Sequence, residues 1–152
     1  GYQTDFTNTL RLWEAKSDTP VDMNFYSTGE YLRAVESQTM AEVISKVLYP
    51  ADNIEEGKEL RLKQQYFMVS ASCQNILHDH FNRYGTLLNL ADKLSIQIND
   101  THPALCVPEL MRLFIDEYGY DWDTSWNIVK NTITNSAITT KIFLFELGFF
   151  FL

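Results

Sequence analysis

The spacing of hydrophobic residues predicts two amphipathic helices in the first half of the chain. In residues 31–48, apolar side chains recur every three or four positions, which is the spacing of one helix face. This helix should end at Tyr49, because the residue before a proline avoids helical geometry. A second helix is predicted over residues 60–81. Its core candidates are Leu62, Phe67, Val69, Ile76 and Leu77.

Two segments alternate between apolar and polar residues, as strands do. They are residues 7–15 and residues 94–98. The second is followed by a polar turn at residues 99–103 and by a helical pattern through Leu110 and Phe114. A last helix should bury Trp126, Ile128 and Val129. Strands that alternate with helices indicate an α/β fold.

Charge and apolar content narrow the classes of partner. The chain carries 20 acidic and 12 basic residues, a net charge of −8, without a cluster of basic residues among aromatics. Nucleic acid is therefore not an expected partner. The longest apolar run, residues 142–152, contains Glu146 and is shorter than the roughly 20 residues that a membrane-spanning helix needs. No membrane association is expected.

The two cysteines give no metal or disulfide signal. Cys73 and Cys106 are far apart in sequence and lack CxxC spacing, so both are interpreted as buried thiols in a reducing compartment such as the cytoplasm. His78 and His80 lie two positions apart on a predicted helix and would point to different faces, so they cannot share one metal ion. No metal site is predicted.

The sharpest candidate site is the turn between the second strand and its helix. Asp100 and His102 place a carboxylate and an imidazole there, and ligands of α/β folds collect at the carboxyl ends of strands. In the alternative interpretation, Asp100 or Thr101 caps the helix and His102 bonds to the backbone. The residue types alone leave both interpretations open.

The loop that follows Pro50 is the second candidate. Asp52 and Asn53 offer an acid and an amide, which suit the recognition of hydroxyl groups. A plain turn is the alternative, because Asp and Asn are common turn residues. No lysine lies in a setting that suits a Schiff base, and no glycine-rich phosphate loop or nucleophile motif is present.

Three long runs resemble the α-glucan phosphorylase family, which acts on glycogen or maltodextrin. Residues 1–16 resemble its GYxxxxxNTxRLWxAK, and residues 47–67 resemble its VLYPxD(N/S)xxxGKELRLKQxYF. Residues 96–112 resemble its IQxNDTHPxxxxPELMR. The runs keep the family's order and spacing, and the resemblance covers about residues 1–135.

The resemblance implies a piece of the N-terminal Rossmann-like domain of a two-domain, GT-B type glycosyltransferase. Such enzymes cleave terminal α-1,4-glucosyl residues with orthophosphate, release glucose 1-phosphate and use pyridoxal 5'-phosphate. By position, Asp52 would belong to a mobile loop that gates the catalytic cleft. Asn53, Asp100 and His102 would bind substrate. The helix near residues 33–47 would form a homodimer interface.

The resemblance stops after Asn135. The family continues there with His-Thr-Val-Leu-Pro-Glu-Ala, whereas this chain continues with Ser136 and a Phe-rich segment. We interpret residues 1–135 as a partial N-terminal domain and residues 136–152 as an unrelated apolar tail that a reading-frame shift produced. The family's cofactor lysine is missing, so we expect no cofactor on this chain and no activity from it alone. The alternative is a non-catalytic module that binds glucan or pairs with an intact phosphorylase.

Overall fold

The computed structural model describes residues 2–7, 9–99 and 101–134. Asp100 and the predicted tail at residues 136–152 lie outside this part of the chain. The chain divides into two compact units, Gly1–Gln64 and Gln65–Leu152. Each unit is described by itself.

The described residues are mostly helical. The α-helices are α1 (Met23–Ser27), α2 (Tyr31–Ala34), α3 (Glu36–Lys46), α4 (Glu55–Tyr84), α5 (Leu90–Lys93), α6 (Cys106–Arg112) and α7 (Trp122–Thr132). A 3-10 helix, His102–Leu105, precedes α6, and a π-helix, Leu113–Glu117, follows it. Two short strands are β1 (Ile96–Gln97) and β2 (Ile133–Thr134).

The helix predicted for residues 31–48 is broken into α2 and α3 at Val35, whose φ is −110° and ψ is 3°. The Ala34 carbonyl accepts a hydrogen bond from the backbone N–H of Asp22, at 3.0 Å, outside the helix. The helix ends at Lys46, because Val47 is already extended. Pattern reasoning therefore placed the end about three residues too late.

The predicted strand at residues 7–15 is wrong. The described residues of this segment have no regular secondary structure, and the Ala15 N–H donates to the Ser45 side chain at 2.8 Å rather than to a neighbouring strand. Alternation shows which faces a strand would have, but a strand also needs a partner for its backbone groups. Sequence spacing does not supply that partner.

The second unit holds the hydrophobic core of the described residues. It packs α4, the segment around α5, α6, the π-helix and α7 against one another. Its buried members are Val69, Cys73, Leu77, Leu87, Leu90, Ile96, Ile98, Cys106, Leu110, Met111, Leu113, Phe114, Ile128 and Val129. Two predicted core residues are exposed, Leu62 at 56% and Trp126 at 44%, and two others, Phe67 and Ile76, are only partly buried. Periodicity identifies a helix face but does not say how far along it the neighbouring elements reach.

The predicted strand at residues 94–98 is present in shortened form as β1. β1 pairs in parallel with β2, with Ile96 opposite Ile133 and Gln97 opposite Thr134. Helices α6 and α7 lie between the two strands in sequence, so this part is a small βαβ unit. Ile96 and Ile98 point into the core and Gln97 is exposed, as the alternation predicted.

The residues that the structure describes contain neither a membrane-spanning helix nor a metal-binding cluster. None of their helices is long and apolar enough to cross a membrane. Among the same residues, no three His, Cys, Asp or Glu side chains lie close enough together to hold a metal ion.

Candidate functional site

The loop that carries Asp52 and Asn53 lies against the first turns of α4. Both residues are exposed, and the loop is irregular between Pro50 and Ile54, as predicted. Tyr49, just before the loop, has a φ of 58°, the left-handed region that non-glycine residues rarely adopt. The chain therefore turns sharply before Pro50.

One face of α4 fastens this loop. Gly57, Arg61 and Gln64 are spaced four and three residues apart, so they lie on the same side of the helix. Arg61 Nη1 lies 2.6 Å from Asp52 Oδ2, and the Gln64 side-chain amide donates to the Val47 carbonyl at 2.8 Å. These contacts hold the chain on both sides of Pro50.

Gly57 lets the backbone of the loop pack directly on α4. A Cβ at this position would lie 1.7 Å from the Ala51 carbonyl oxygen, so only glycine lets the loop backbone rest on the helix there. Sequence reasoning missed Gly57, Arg61 and Gln64. Their common spacing on a predicted helix, next to the candidate loop, was the available signal.

The side chains of the loop have different roles. Asp52 is engaged by Arg61, whose guanidinium also lies 5.9 Å from the centre of the Tyr49 ring. Asn53 is exposed, so its amide can donate to and accept from a hydroxyl group. Asp52 thus holds the loop, and Asn53 is the side chain that the loop presents.

The second candidate, the turn after β1, lies in the other unit. His102 is half-buried at the start of the 3-10 helix, and Pro103 beside it is buried. Thr101 makes no side-chain capping hydrogen bond, so the part of the capping alternative that involved Thr101 is wrong. Asp100 lies outside the described residues, and its predicted role stays a prediction.

A buried ionic network fixes α6, the helix that follows this turn. The Glu109 side chain is 1% exposed and accepts from Arg112 Nε at 2.9 Å and Nη2 at 3.0 Å. It also accepts from Ser70 at 2.5 Å and from the Tyr66 hydroxyl at 3.0 Å, both on α4. The network therefore ties α6 to α4.

The charge state of Glu109 follows from its partners. Burial alone would raise the pKa of Glu109, but the hydrogen bonds from Arg112, Ser70 and Tyr66 together lower it below its ordinary value. Burial, and then the bond to Glu109, raise the pKa of Tyr66. Sequence reasoning missed this network. A carboxylate between Cys106, Leu110 and Leu113 on one helix face, with an arginine three positions on, was the signal.

The lysines of the described chain do not fit an imine-forming cofactor site. All six are exposed, and four pair with nearby carboxylates: Lys16 with Glu14, Lys46 with Glu42, Lys58 with Glu55 and Lys63 with Glu59. An imine-forming lysine needs a desolvated setting that lowers its pKa. We therefore assign none of these six lysines to a cofactor.

Comparison with known proteins identifies the family of the chain. The family model described as carbohydrate phosphorylase matches residues 1–146, and the chain belongs to this family. The match extends beyond residue 135, where the predicted partial domain ends.

The relatives of the chain are glycogen phosphorylases. The protein of Pasteurella multocida is 45% identical over 139 residues, which are 91% of this chain and 17% of that relative. The protein of Chlamydia trachomatis is 45% identical and covers 94% of this chain. The brain form of Bos taurus is 46% identical and covers 87%. The chain thus corresponds to a segment of about a sixth of the length of these relatives.

Proposed function

We propose that this chain contributes part of the glucan-binding wall of a glycogen phosphorylase. The enzyme would use orthophosphate to cleave terminal α-1,4-glucosyl residues and would release glucose 1-phosphate. The observation that carries the proposal is the loop on α4: Gly57, Arg61 and Gln64 fasten its backbone while Asn53 faces outward. In this position the loop backbone rests on α4 and presents an exposed amide, which suits hydroxyl recognition.

In this proposal Asn53 binds a sugar hydroxyl, and Asp52 sets the position of the gating loop through Arg61. His102 and Asp100 bind the glucosyl unit beside the cleft. The segment belongs to the N-terminal Rossmann-like domain of a GT-B fold, and the parallel βαβ unit of β1 and β2 supports this placement. A cytoplasmic location agrees with two free cysteines.

Pyridoxal 5'-phosphate would supply a phosphate group close to the substrate orthophosphate. The exposed lysines of the described residues do not fit its attachment, so the cofactor would be held elsewhere in the enzyme. We expect the isolated chain to produce no glucose 1-phosphate, since a cleft needs both of its walls.

A chimera tests the proposal. Residues 1–134 of this chain replace the matching segment of the Pasteurella multocida enzyme, and glucose 1-phosphate release is measured with maltodextrin and orthophosphate. We expect the chimera to be active. Asn53→Ala or His102→Ala should lower kcat/KM about tenfold or more, because each removes a polar contact to substrate.

The matched control is Asn24→Ala, an exposed asparagine in the same unit as Asn53. It should leave kcat/KM within about twofold, since exposed substitutions away from a site have small effects. An inactive but folded chimera would argue against the proposal. Equal activity of the Asn53, His102 and Asn24 variants would show that neither Asn53 nor His102 makes the predicted contact with substrate.

One observation favours a second role, in pairing with another subunit. Helix α3 has no buried residue, and the α2–α3 segment exposes large apolar side chains, with Leu32 87% and Met40 60% exposed. We propose that this segment, near residues 33–47, forms the homodimer contact. Co-purification of the tagged chain with a full-length phosphorylase subunit would support the dimerising role, provided that Met40→Asp abolishes it. Equal recovery with Met40→Asp would oppose it.

A further inference from the structure

Two cysteines that are 33 residues apart in sequence meet in the core of the second unit. Cys73 lies on α4 and Cys106 is the first residue of α6, and their sulfur atoms are 3.5 Å apart. Cys73 is 2% exposed and Cys106 is fully buried. Both are free thiols.

We propose that Cys73 and Cys106 form a redox-active pair that closes to an intramolecular disulfide when glutathione disulfide is in excess. The closed bond would join α4 directly to α6, next to the Glu109 network. The two cysteines would then be a site of oxidative modification as well as core residues.

The starting geometry favours closure of the bond between the two sulfurs. A disulfide needs its sulfurs about 2 Å apart, so the two atoms must approach by roughly 1.5 Å. Cysteine has a single side-chain torsion before the sulfur, and small rotations on both sides supply such a shift. The pair also closes a long loop, the kind of cross-link that most restricts the unfolded chain.

Hydrogen bonding and burial both favour the protonated thiol at Cys73. The Cys73 thiol donates to Cys106 Sγ, and this bond, together with burial, raises the pKa of Cys73. Because both sulfurs are buried, the attack requires a local opening of the α4–α6 contact, and we expect slow oxidation.

The reaction balances with glutathione disulfide as the oxidant. One of the two cysteines loses its proton to solvent and its thiolate attacks one glutathione sulfur; the glutathione S–S bond breaks, and a mixed disulfide and one glutathione thiolate form. The other cysteine then loses its proton and attacks the protein sulfur of the mixed disulfide; the protein disulfide forms and a second glutathione leaves. Two protein thiols are oxidised and one glutathione disulfide is reduced to two glutathione molecules. A packed core has no room for glutathione, so closure favours the second step.

The test is a redox titration of the 152-residue chain in reduced and oxidised glutathione. The fraction of Cys73–Cys106 disulfide is measured by peptide mass mapping under acid quench, once in native buffer and once in 6 M guanidinium chloride. The effective concentration of the pair should be at least about 100-fold higher in native buffer. By linkage, the oxidised chain should also unfold at a higher temperature than the reduced chain.

Cys73→Ala and Cys106→Ala are the matched controls. Each retains one thiol, so each can form a glutathione adduct but no internal bond. A native effective concentration equal to or lower than the denatured value would overturn the proposal, whether the fold resists the bond or fails to hold the sulfurs together. The same holds if native oxidation yields only adducts or intermolecular disulfides.

Discussion

Glu109 is a carboxylate on an otherwise apolar helix face. Its neighbours on that face, Cys106 and Leu110, are fully buried, and Glu109 itself is 2% exposed. Removing one partner of a buried ion pair is costly because the remaining charge loses its compensation. The network should therefore stabilise α6, and with it the turn that carries His102.

Replacing this carboxylate tests the network. Glu109→Gln keeps the size but turns one acceptor oxygen into an NH2 donor that faces other donors, and it leaves Arg112 without its main counter-charge. We expect a loss of about 3 kcal/mol in the free energy of unfolding, measured by urea titration. The control is Glu117→Gln, since Glu117 bonds the same arginine at 3.1 Å but is exposed. It should cost about 0.5 kcal/mol or less.

The same pair of variants has a pH signature. The folded state lowers the pKa of Glu109 below its ordinary value of 4.5. Its stabilising contribution is therefore complete above the unfolded pKa and is lost as the pH falls through the folded pKa. Between about pH 6 and pH 3 the free energy of unfolding should fall less steeply in Glu109→Gln than in the original chain. Parallel curves would contradict the role that we assign to Glu109.

Helix α4 shows at the scale of an element how a helix can determine the path of a loop. Its Gly57, Arg61 and Gln64 contact the backbone or side chains of residues 47–52. Glycine in a helix costs about 1 kcal/mol relative to alanine, so glycine at position 57 needs a structural reason. The reason is the close Ala51 carbonyl, which leaves no space for a Cβ atom.

The variant Gly57→Ala tests whether helix propensity or the contact with the Ala51 carbonyl has the larger effect on the start of α4. Helix propensity alone would stabilise α4, but the added methyl group would lie 1.7 Å from the Ala51 oxygen, and overpacking against backbone costs about 1–3 kcal/mol. We expect amide hydrogen exchange to become about tenfold faster at residues 58–64, because the loop is forced off the helix. Glu56→Ala, next to it and exposed, should change exchange little. Slower exchange in Gly57→Ala would show that propensity dominates.

Sequence patterns predicted the helices and the loop better than they predicted contacts. The spacing found α4, the turn after β1 and the loop that carries Asn53, because periodicity and proline act locally. It missed Arg61, because a guanidinium nine residues from Asp52 becomes its partner only when the chain turns at Tyr49. It gave residues 7–15 as a strand, since alternation carries no information about a missing partner. Long-range pairing is what a single sequence does not contain.

For the whole molecule, apolar burial is uneven between the two units. Among the described residues, the first unit buries only Ala15 and Ala34 of its apolar side chains, whereas the second unit contains the cluster around Phe114. The first unit also exposes large apolar residues such as Leu12, at 80%. Burial of apolar surface is the main favourable term in folding, so the two units should differ in local stability.

Hydrogen exchange read by mass spectrometry measures this difference. Amides of α6 and α7 should exchange slowest, and amides of α1, α2 and α3 should exchange at least about 100-fold faster at pH 7, because little apolar surface is lost when they open. Exchange of the unfolded chain supplies the reference rates. Similar protection in both units would mean that the exposed apolar residues of the first unit are covered in solution.

The parallel pair of β1 and β2 also bears on the order of folding. Ile96 and Ile133 are 37 positions apart, and each strand has only two residues. Bringing such distant segments together costs loop-closure entropy. This cost is incurred before the few contacts of two short strands can offset it. The intervening helices α6 and α7 have local contacts and can shorten the gap first. We therefore expect the strand pair to join late, after a helical nucleus around Phe114 has formed.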